Sequence, residues 1–287
     1  MSHISIFLEL TRLKKPIGYM LLFWPCAWGL SVAYNFENGL EKYFFYLFLF
    51  FLGSIFMRSA GCIVNDILDK NFDKNVERTK NRPLAAGKIS VNLAITYSII
   101  LCLLAFLVLI NFNLLTIILA IASMPLAFTY PLMKRFTYWP QLFLGITFNY
   151  GLLLGWVCIH GNISLAAFIF YIGAIFWTLG YDTIYGFQDL KDDEITGVKS
   201  TSIKFKESPK IFLLLCYFIF LIALITSGIL LKLNNYFFIG LILMTIHLFI
   251  FQILKFDKSN KEICLKIFKS NNFLGLLILI NIFIGKF

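Results

Sequence analysis

Residues 91–110 read VNLAITYSIILCLLAFLVLI, and after Asn111 and Phe112 residues 113–133 read NLLTIILAIASMPLAFTYPLM. Neither run carries a charged side chain. Neither alternates polar with apolar residues, as a membrane barrel strand would. Each is long enough to cross a hydrocarbon core as a helix, which takes roughly 17–25 residues. The spacer leaves room only for a very short turn. The two runs therefore predict an antiparallel hairpin of membrane-spanning helices.

Seven further runs of the same kind flank this pair, at about 17–34, 43–64, 140–159, 163–186, 211–231, 236–254 and 270–286. The pattern predicts an all-α integral membrane protein with nine transmembrane helices, forming a single domain over residues 1–287. Composition agrees. Hydrophobic residues make up 60% of the 287 and charged residues 14%, with a mean hydropathy of +0.83. Soluble domains carry roughly 25% charge, so a chain this apolar could not cover itself with polar surface in water.

The basic residues set the expected orientation. With the N-terminus in the cytoplasm, regions 1–16, 65–90, 134–139, 187–210 and 255–269 share that side and hold 21 of the 25 Lys and Arg residues. Lys42, Lys232 and Lys286 fall on the other side, and Arg58 lies inside a span. This is the asymmetry of the positive-inside rule, and nine spans then leave the C-terminus opposite. The net charge of +10 reflects that topology and contact with anionic membrane lipid, so no nucleic-acid partner is expected. The first apolar run is full length and lacks a small-residue cleavage pattern, which argues against a signal peptide. The six cysteines are scattered, without a CxxC pair, and none of the three histidines has a metal-ligand partner at a suitable spacing. Glycine-rich phosphate loops and a nucleophile elbow are absent.

Acidic residues near membrane spans are costly and mark function, and most of this chain's fifteen fall in two short segments. In the first, Asn65, Asp69 and Asp73 recur at i, i+4 and i+8, which places them on one helix face. Asp66 stands beside them, and Arg78, Lys80 and Arg82 follow. In the second, Asp182, Asp189 and Asp193 stand at i, i+7 and i+11, within about 20° of one another around a continuous helix. Lys199 follows. Stacked carboxylates repel one another without a cation. Mg2+ suits such oxygen donors and commonly bridges one or two carboxylates to a substrate phosphate, while guanidinium and ammonium groups suit phosphate oxygens. Both segments fall on the same membrane side beside apolar helices. Together they suit a substrate with a diphosphate head and a hydrocarbon tail. A cation transporter is the rival reading, but it would place acids near the bilayer midplane on discontinuous helices.

These residues resemble the UbiA superfamily of intramembrane prenyltransferases, and within it the branch that prenylates 4-hydroxybenzoate. The family's NDxxDxxxD appears at Asn65–Asp73, followed by a similar RTxxRPL at Arg78–Leu84. Its second DxxxD appears at Asp189–Asp193 within YDTIYGFQDLKDD, followed by KST at Lys199–Thr201. Residues 130–141, YPLMKRFTYWPQ, resemble its YPxxKRxTxxPQ loop. The resemblance extends from the KPIG at Lys15 through the ninth span.

It implies a nine-helix fold with a cytoplasm-facing site, Mg2+ as cofactor, and a polyprenyl diphosphate and 4-hydroxybenzoate as substrates. Asn65, Asp69, Asp73, Asp189 and Asp193 match the metal–diphosphate residues, with Asp66 in support. Arg82, Lys134 and Lys199 match diphosphate contacts, with Tyr130 a neighbour on the same helix end, and Arg78 and Arg135 are further cationic candidates for binding the substrate. Arg58 matches the position that faces the aromatic acid's carboxylate, and Asp182 is expected to stabilise the cation or assist proton loss. Related enzymes use dihydroxynaphthoate, homogentisate, chlorophyllide or haem instead, and those acceptors stay open. The compact chain, without an organelle presequence, points to a bacterial inner membrane.

Overall fold

The computed structural model describes residues 3–287, apart from the side chain of Asn38. Among them the chain is helical, with no strand. The elements are α1 (His3–Leu10), α2 (Ile17–Ala33), α3 (Glu41–Leu68), α4 (Lys70–Asp73), α5 (Val91–Leu109), α6 (Leu114–Thr129), α7 (Met133–Phe136), α8 (Pro140–His160) and α9 (Leu165–Gly186). They continue with α10 (Leu190–Thr196), α11 (Thr201–Lys204), α12 (Pro209–Leu230), α13 (Asn235–Thr245) and α14 (Lys261–Lys286). A π-helical stretch, Ile246–Leu254, prolongs α13.

Among the described residues, eight helical segments are long and apolar enough to cross a membrane. The first expected span, α2, is a helix of 17 residues, at the lower limit for a crossing. Boundaries fall within about four residues of the sequence reading, as for α3 and α6, except in α14, which begins at Lys261 rather than near residue 270. Its first turns carry Lys266 and Lys269, so hydropathy alone placed the start too late.

Polar side chains cap the helices where the apolar runs begin. Ser90, Asn113, Ser164 and Asn234 each accept a hydrogen bond from the backbone N–H three residues on, satisfying donors a helix start leaves free. Asn113 also donates to Val157 O at 2.8 Å, pinning the α5–α6 turn to α8. At the far end of α2, Lys286 Nζ donates to Val32 O at 2.9 Å and Tyr34 O at 2.5 Å. A cation at a helix C-terminus complements its dipole.

Large apolar side chains stay exposed along the outer helix faces, including Phe48, Leu103, Ile118, Phe218 and Ile239. Lipid solvates such a face where water would not. Inside, α2 and α8 approach backbone to backbone. A Cβ placed on Gly29 would stand 2.0 Å from Leu152 O, and one on Gly155 2.5 Å from Cys26 O. Small residues permit this approach between membrane helices, where packing rather than water exclusion drives association.

Candidate functional site

The first acidic stripe survives a break in its helix. α3 ends at Leu68, and Asp69 sits at the junction with α4 with φ −96° and ψ 5°. The i+4 bonding pattern nonetheless continues: Asp69 N donates to Asn65 O at 2.9 Å and Asp73 N to Asp69 O at 2.8 Å. The three residues therefore keep their shared face. Asp66, Asp69 and Asp73 are buried, the first two at 2% exposure.

Asp182, Asp189 and Asp193 do not share one helix. α9 stops at Gly186, and Asp189 stands just before a separate α10 without a side-chain cap bond to it, so the i, i+7, i+11 geometry is broken at Phe187–Gln188. The stop has a local cause. Ser202 Oγ donates to Thr183 O at 2.8 Å, and the Thr183 and Thr201 hydroxyls pair at 2.6 Å. Gln141 Oε1 accepts from Thr201 N at 3.0 Å. α11 is thus pressed against the last turn of α9, where a Cβ on Gly186 would lie 2.3 Å from Ser202 Oγ. The hydroxyls of Thr201, which ends the KST segment, and of Ser202 next to it act here as buried pins, with the glutamine of the PQ pair.

The two acidic segments meet at one end of the bundle. Arg78, in the loop after α4, clasps Asp189 with Nε at 2.8 Å from Oδ1 and Nη2 at 2.5 Å from Oδ2, and reaches Tyr185 Oη at 3.2 Å. Arg82 Nη1 bridges Asp73 Oδ2 at 2.9 Å and Asp66 Oδ1 at 3.1 Å. Lys134 Nζ donates to Asp69 Oδ2. Arg135 donates to Leu68 O at 2.7 Å and lies 3.8 Å from Asp69 Oδ1. Lys199 is turned elsewhere: its Nζ donates to Phe136 O at 3.3 Å and faces the Tyr138 ring. Its backbone N–H bonds Lys134 O at 2.8 Å, so it braces the loop that carries Lys134.

Arg12 escaped the sequence reading. Its Nη2 lies 2.5 Å from Asp66 Oδ1, joining the N-terminal segment to the first stripe. Its backbone has φ +57°, a conformation a non-glycine residue adopts only under constraint. Nothing in the spacing signals a pair so distant in sequence. The only cue is an arginine just before the KPIG.

Below this charged rim a cavity of about 400 Å³ opens among α2, α3, α5, α6 and α8. Arg58, Gly61, Tyr130 and Thr147 line it near the rim, and Leu49, Phe50, Phe112 and Leu154 at the far end. Its walls are otherwise apolar, with Met57, Phe106, Met124 and Phe148 among them. The Arg58 guanidinium faces the Phe148 ring at 5.3 Å, and its Nε is buried without a hydrogen-bond partner. Such a donor carries a desolvation penalty that an acidic ligand would relieve. Asp182 lies on α9, within electrostatic reach of Arg58 but outside the residues lining the cavity.

The donor set fits a hard divalent cation in kind. Asp69 Oδ1 is buried with no hydrogen-bond partner. Asp193 makes no ion pair among the described residues, and burial, then repulsion from Asp189, push its carboxyl up to about 7. The acids do not yet converge, however. No three acidic, histidine or cysteine groups gather to hold an ion among the described residues, and Asp66, Asp69, Asp73 and Asp189 each hold a cationic side chain.

Comparison with known proteins agrees with this arrangement. The UbiA prenyltransferase family profile matches residues 22–277. The mitochondrial 4-hydroxybenzoate polyprenyltransferase of Drosophila pseudoobscura pseudoobscura is 42% identical over 280 residues, covering 97% of this chain and 70% of that one. The 4-hydroxybenzoate octaprenyltransferase of Psychromonas ingrahamii is 40% identical over 279 residues, covering 97% and 96%. A solved UbiA homologue of Archaeoglobus fulgidus, bound to GPP and Mg2+, shares the fold at a TM-score of 0.69 and 18% identity, covering 97% and 98%. The profile match over residues 22–277, with relatives about 40% identical over nearly the full chain, shows that this chain belongs to the UbiA prenyltransferase family.

Proposed function

We propose that this protein transfers a polyprenyl group from a polyprenyl diphosphate to the ring carbon ortho to the hydroxyl of 4-hydroxybenzoate, releasing diphosphate, as a step of ubiquinone biosynthesis. The observation that carries the reading is Arg58: a buried guanidinium with an unsatisfied Nε, lining an apolar cavity directly below an acid-and-cation rim. That order, from charged rim through a carboxylate-seeking arginine to hydrocarbon walls, matches a diphosphate head, an aromatic acid and a prenyl tail. The names of relatives about 40% identical over nearly the full chain support the same acceptor.

Asp69, Asp73, Asp189 and Asp193, with Asn65, would hold Mg2+, which supplies neutralisation of the leaving diphosphate's charge. Arg78, Arg82 and Lys134 donate to phosphate oxygens as the allylic C–O bond lengthens, and Asp66 holds Arg82 and Arg12 in place. Electrostatic stabilisation of this kind usually contributes more to catalysis than any other single effect. Lys199 and Arg135 shape the loop that presents Lys134. The walls exclude water, so the allylic cation is spared hydrolysis. Arg58 grips the acceptor's carboxylate bidentately and turns the carbon ortho to the hydroxyl toward the cation, with Tyr130 beside it. Asp182 takes the ring proton or stabilises the cation.

Residues 1–287 form one domain on this reading. The protein lies in a bacterial inner membrane with its N-terminus and charged rim in the cytoplasm and its C-terminus opposite. The lysine and arginine asymmetry and the bacterial relative support that placement. The test is mass spectrometry of lipid extracts after purified protein is incubated with 4-hydroxybenzoate, Mg2+ and a polyprenyl diphosphate. A 3-polyprenyl-4-hydroxybenzoate product supports the assignment. Its absence, with product from another aromatic acceptor, would replace the acceptor and leave the prenyl transfer standing.

A further inference from the structure

Every acid expected to serve the metal and diphosphate, except Asp193, already holds a cation from its own chain. Arg78 covers both oxygens of Asp189. Lys134 holds Asp69 Oδ2, and Arg82 holds Asp73 Oδ2 at 2.9 Å. The remaining oxygen of Asp69 is buried and accepts no hydrogen bond, with only Arg135 Nη2 at 3.8 Å, so the carboxylate is incompletely satisfied and still open to a further positive ligand. The cations themselves are the groups suited to the phosphate oxygens. One set of side chains therefore serves two incompatible sets of partners.

We infer that these ion pairs are a resting-state latch that exchanges partners: divalent metal takes the carboxylates while the diphosphate takes Arg78, Lys134 and Arg82. This rests on the reading of the site as a diphosphate site. Two consequences follow. Metal alone must displace a chain cation from each acid but Asp193, and diphosphate alone must pull each cation from its carboxylate. Either ligand frees the groups the other needs, so the two bind with reciprocal positive coupling, as linkage requires. A site built only to present carboxylates would leave them open, and removing a neighbouring cation would then do nothing for metal. The Arg78–Asp189 pair is the most informative. The Arg78 side chain is 41% exposed while that of Asp189 is 14% exposed, so Arg78 can swing away without breaking the core.

The experiment is calorimetric titration of detergent-purified protein with Mg2+ alone, and separately with inorganic diphosphate alone in chelator, for wild type, Arg78→Gln and Lys134→Gln. The exchange predicts opposite signs in a single variant. Arg78→Gln should bind Mg2+ more tightly by roughly three- to five-fold, the worth of a part-exposed ion pair, and bind diphosphate more weakly by at least as much. Lys134→Gln, acting on Asp69, should show the same pair of signs and stands in if Arg78→Gln does not fold. Mg2+ binding that is unchanged or weaker in both variants overturns the latch, because the cations would then be supporting the acids' geometry rather than competing for them. If wild-type protein binds no diphosphate with or without Mg2+, the diphosphate reading itself fails, while the Mg2+ arm still decides whether chain cations compete for the acids.

Discussion

Arg78 and Asp189, 111 residues apart in sequence, meet in a two-pronged ion pair, Nε to Oδ1 at 2.8 Å and Nη2 to Oδ2 at 2.5 Å. That pair closes the loop after the first acidic segment onto the start of α10. It turns two separate sequence motifs into the two walls of one rim. The chemistry proposed above depends on that closure, and each part of it can be tested separately.

Asp69 is buried, 2% exposed, and held by Lys134. Asp69→Asn should lower the prenyl-transfer rate by roughly 10²–10³-fold, the usual cost of removing one group that stabilises transition-state charge. Steady-state assays at saturating Mg2+ measure it. A variant within a few-fold of wild type would remove Asp69 from the site.

Arg58 should act on the acceptor and not on the donor. Losing a hydrogen bond to a charged group costs about 1.5–3 kcal/mol, so Arg58→Gln should raise KM for 4-hydroxybenzoate by roughly 10- to 150-fold. The KM for the polyprenyl diphosphate should barely move. Equal loss on both substrates would mean Arg58 shapes the cavity rather than gripping the carboxylate.

The Asp193 carboxyl, pushed up to about 7 by burial and by Asp189, should give metal binding a pH signature. A folded-state value above the ordinary carboxyl value near 4 means the folded, metal-free protein retains a proton there. Stability from this group is full below about pH 4 and is lost as pH rises through about 7. Mg2+ binding should accordingly release close to one proton near pH 6 and almost none near pH 8. Calorimetry in buffers of different ionisation heats counts the protons. The release should vanish in Asp193→Asn, and its persistence would assign it to another group.

Gly29 should be intolerant of any side chain, because a Cβ there would meet Leu152 O at 2.0 Å. Gly29→Ala should prise α2 from α8 and destabilise the protein by about 1–3 kcal/mol, the range for overpacking. Thermal unfolding in detergent should show a lower Tm. An unchanged Tm would mean α2 shifts freely, and the close approach would then contribute nothing to stability.

Much of this molecule was legible in the chain, for physical reasons. An apolar run of twenty residues has few options but a membrane helix, and the 91–133 hairpin falls where the caps at Ser90 and Asn113 put it. The first stripe was legible because helical hydrogen bonding continues through Asp69. The second misled, since the hydroxyl pins from Thr201 and Ser202 that stop α9 act from α11, outside the helix itself. Arg12 was hidden for a similar reason: its partner Asp66 is 54 residues away. The π-helical end of α13 also left no mark in the pattern. It lets Gln252 bridge Tyr217 Oη at 2.6 Å and Asn271 Oδ1 at 3.0 Å, a buried network that no periodicity reports.

The most direct measurement is transfer of label from radiolabelled 4-hydroxybenzoate into lipid by purified protein supplied with a polyprenyl diphosphate, with and without Mg2+. An Asp69→Ala, Asp189→Ala double variant would be assayed beside the wild type. Metal-dependent labelled lipid from the wild type, and none from a folded double variant, is the expected result. Labelled lipid that forms equally without divalent metal, or that persists in the double variant, would contradict the assignment of the chemistry to the two facing acidic segments.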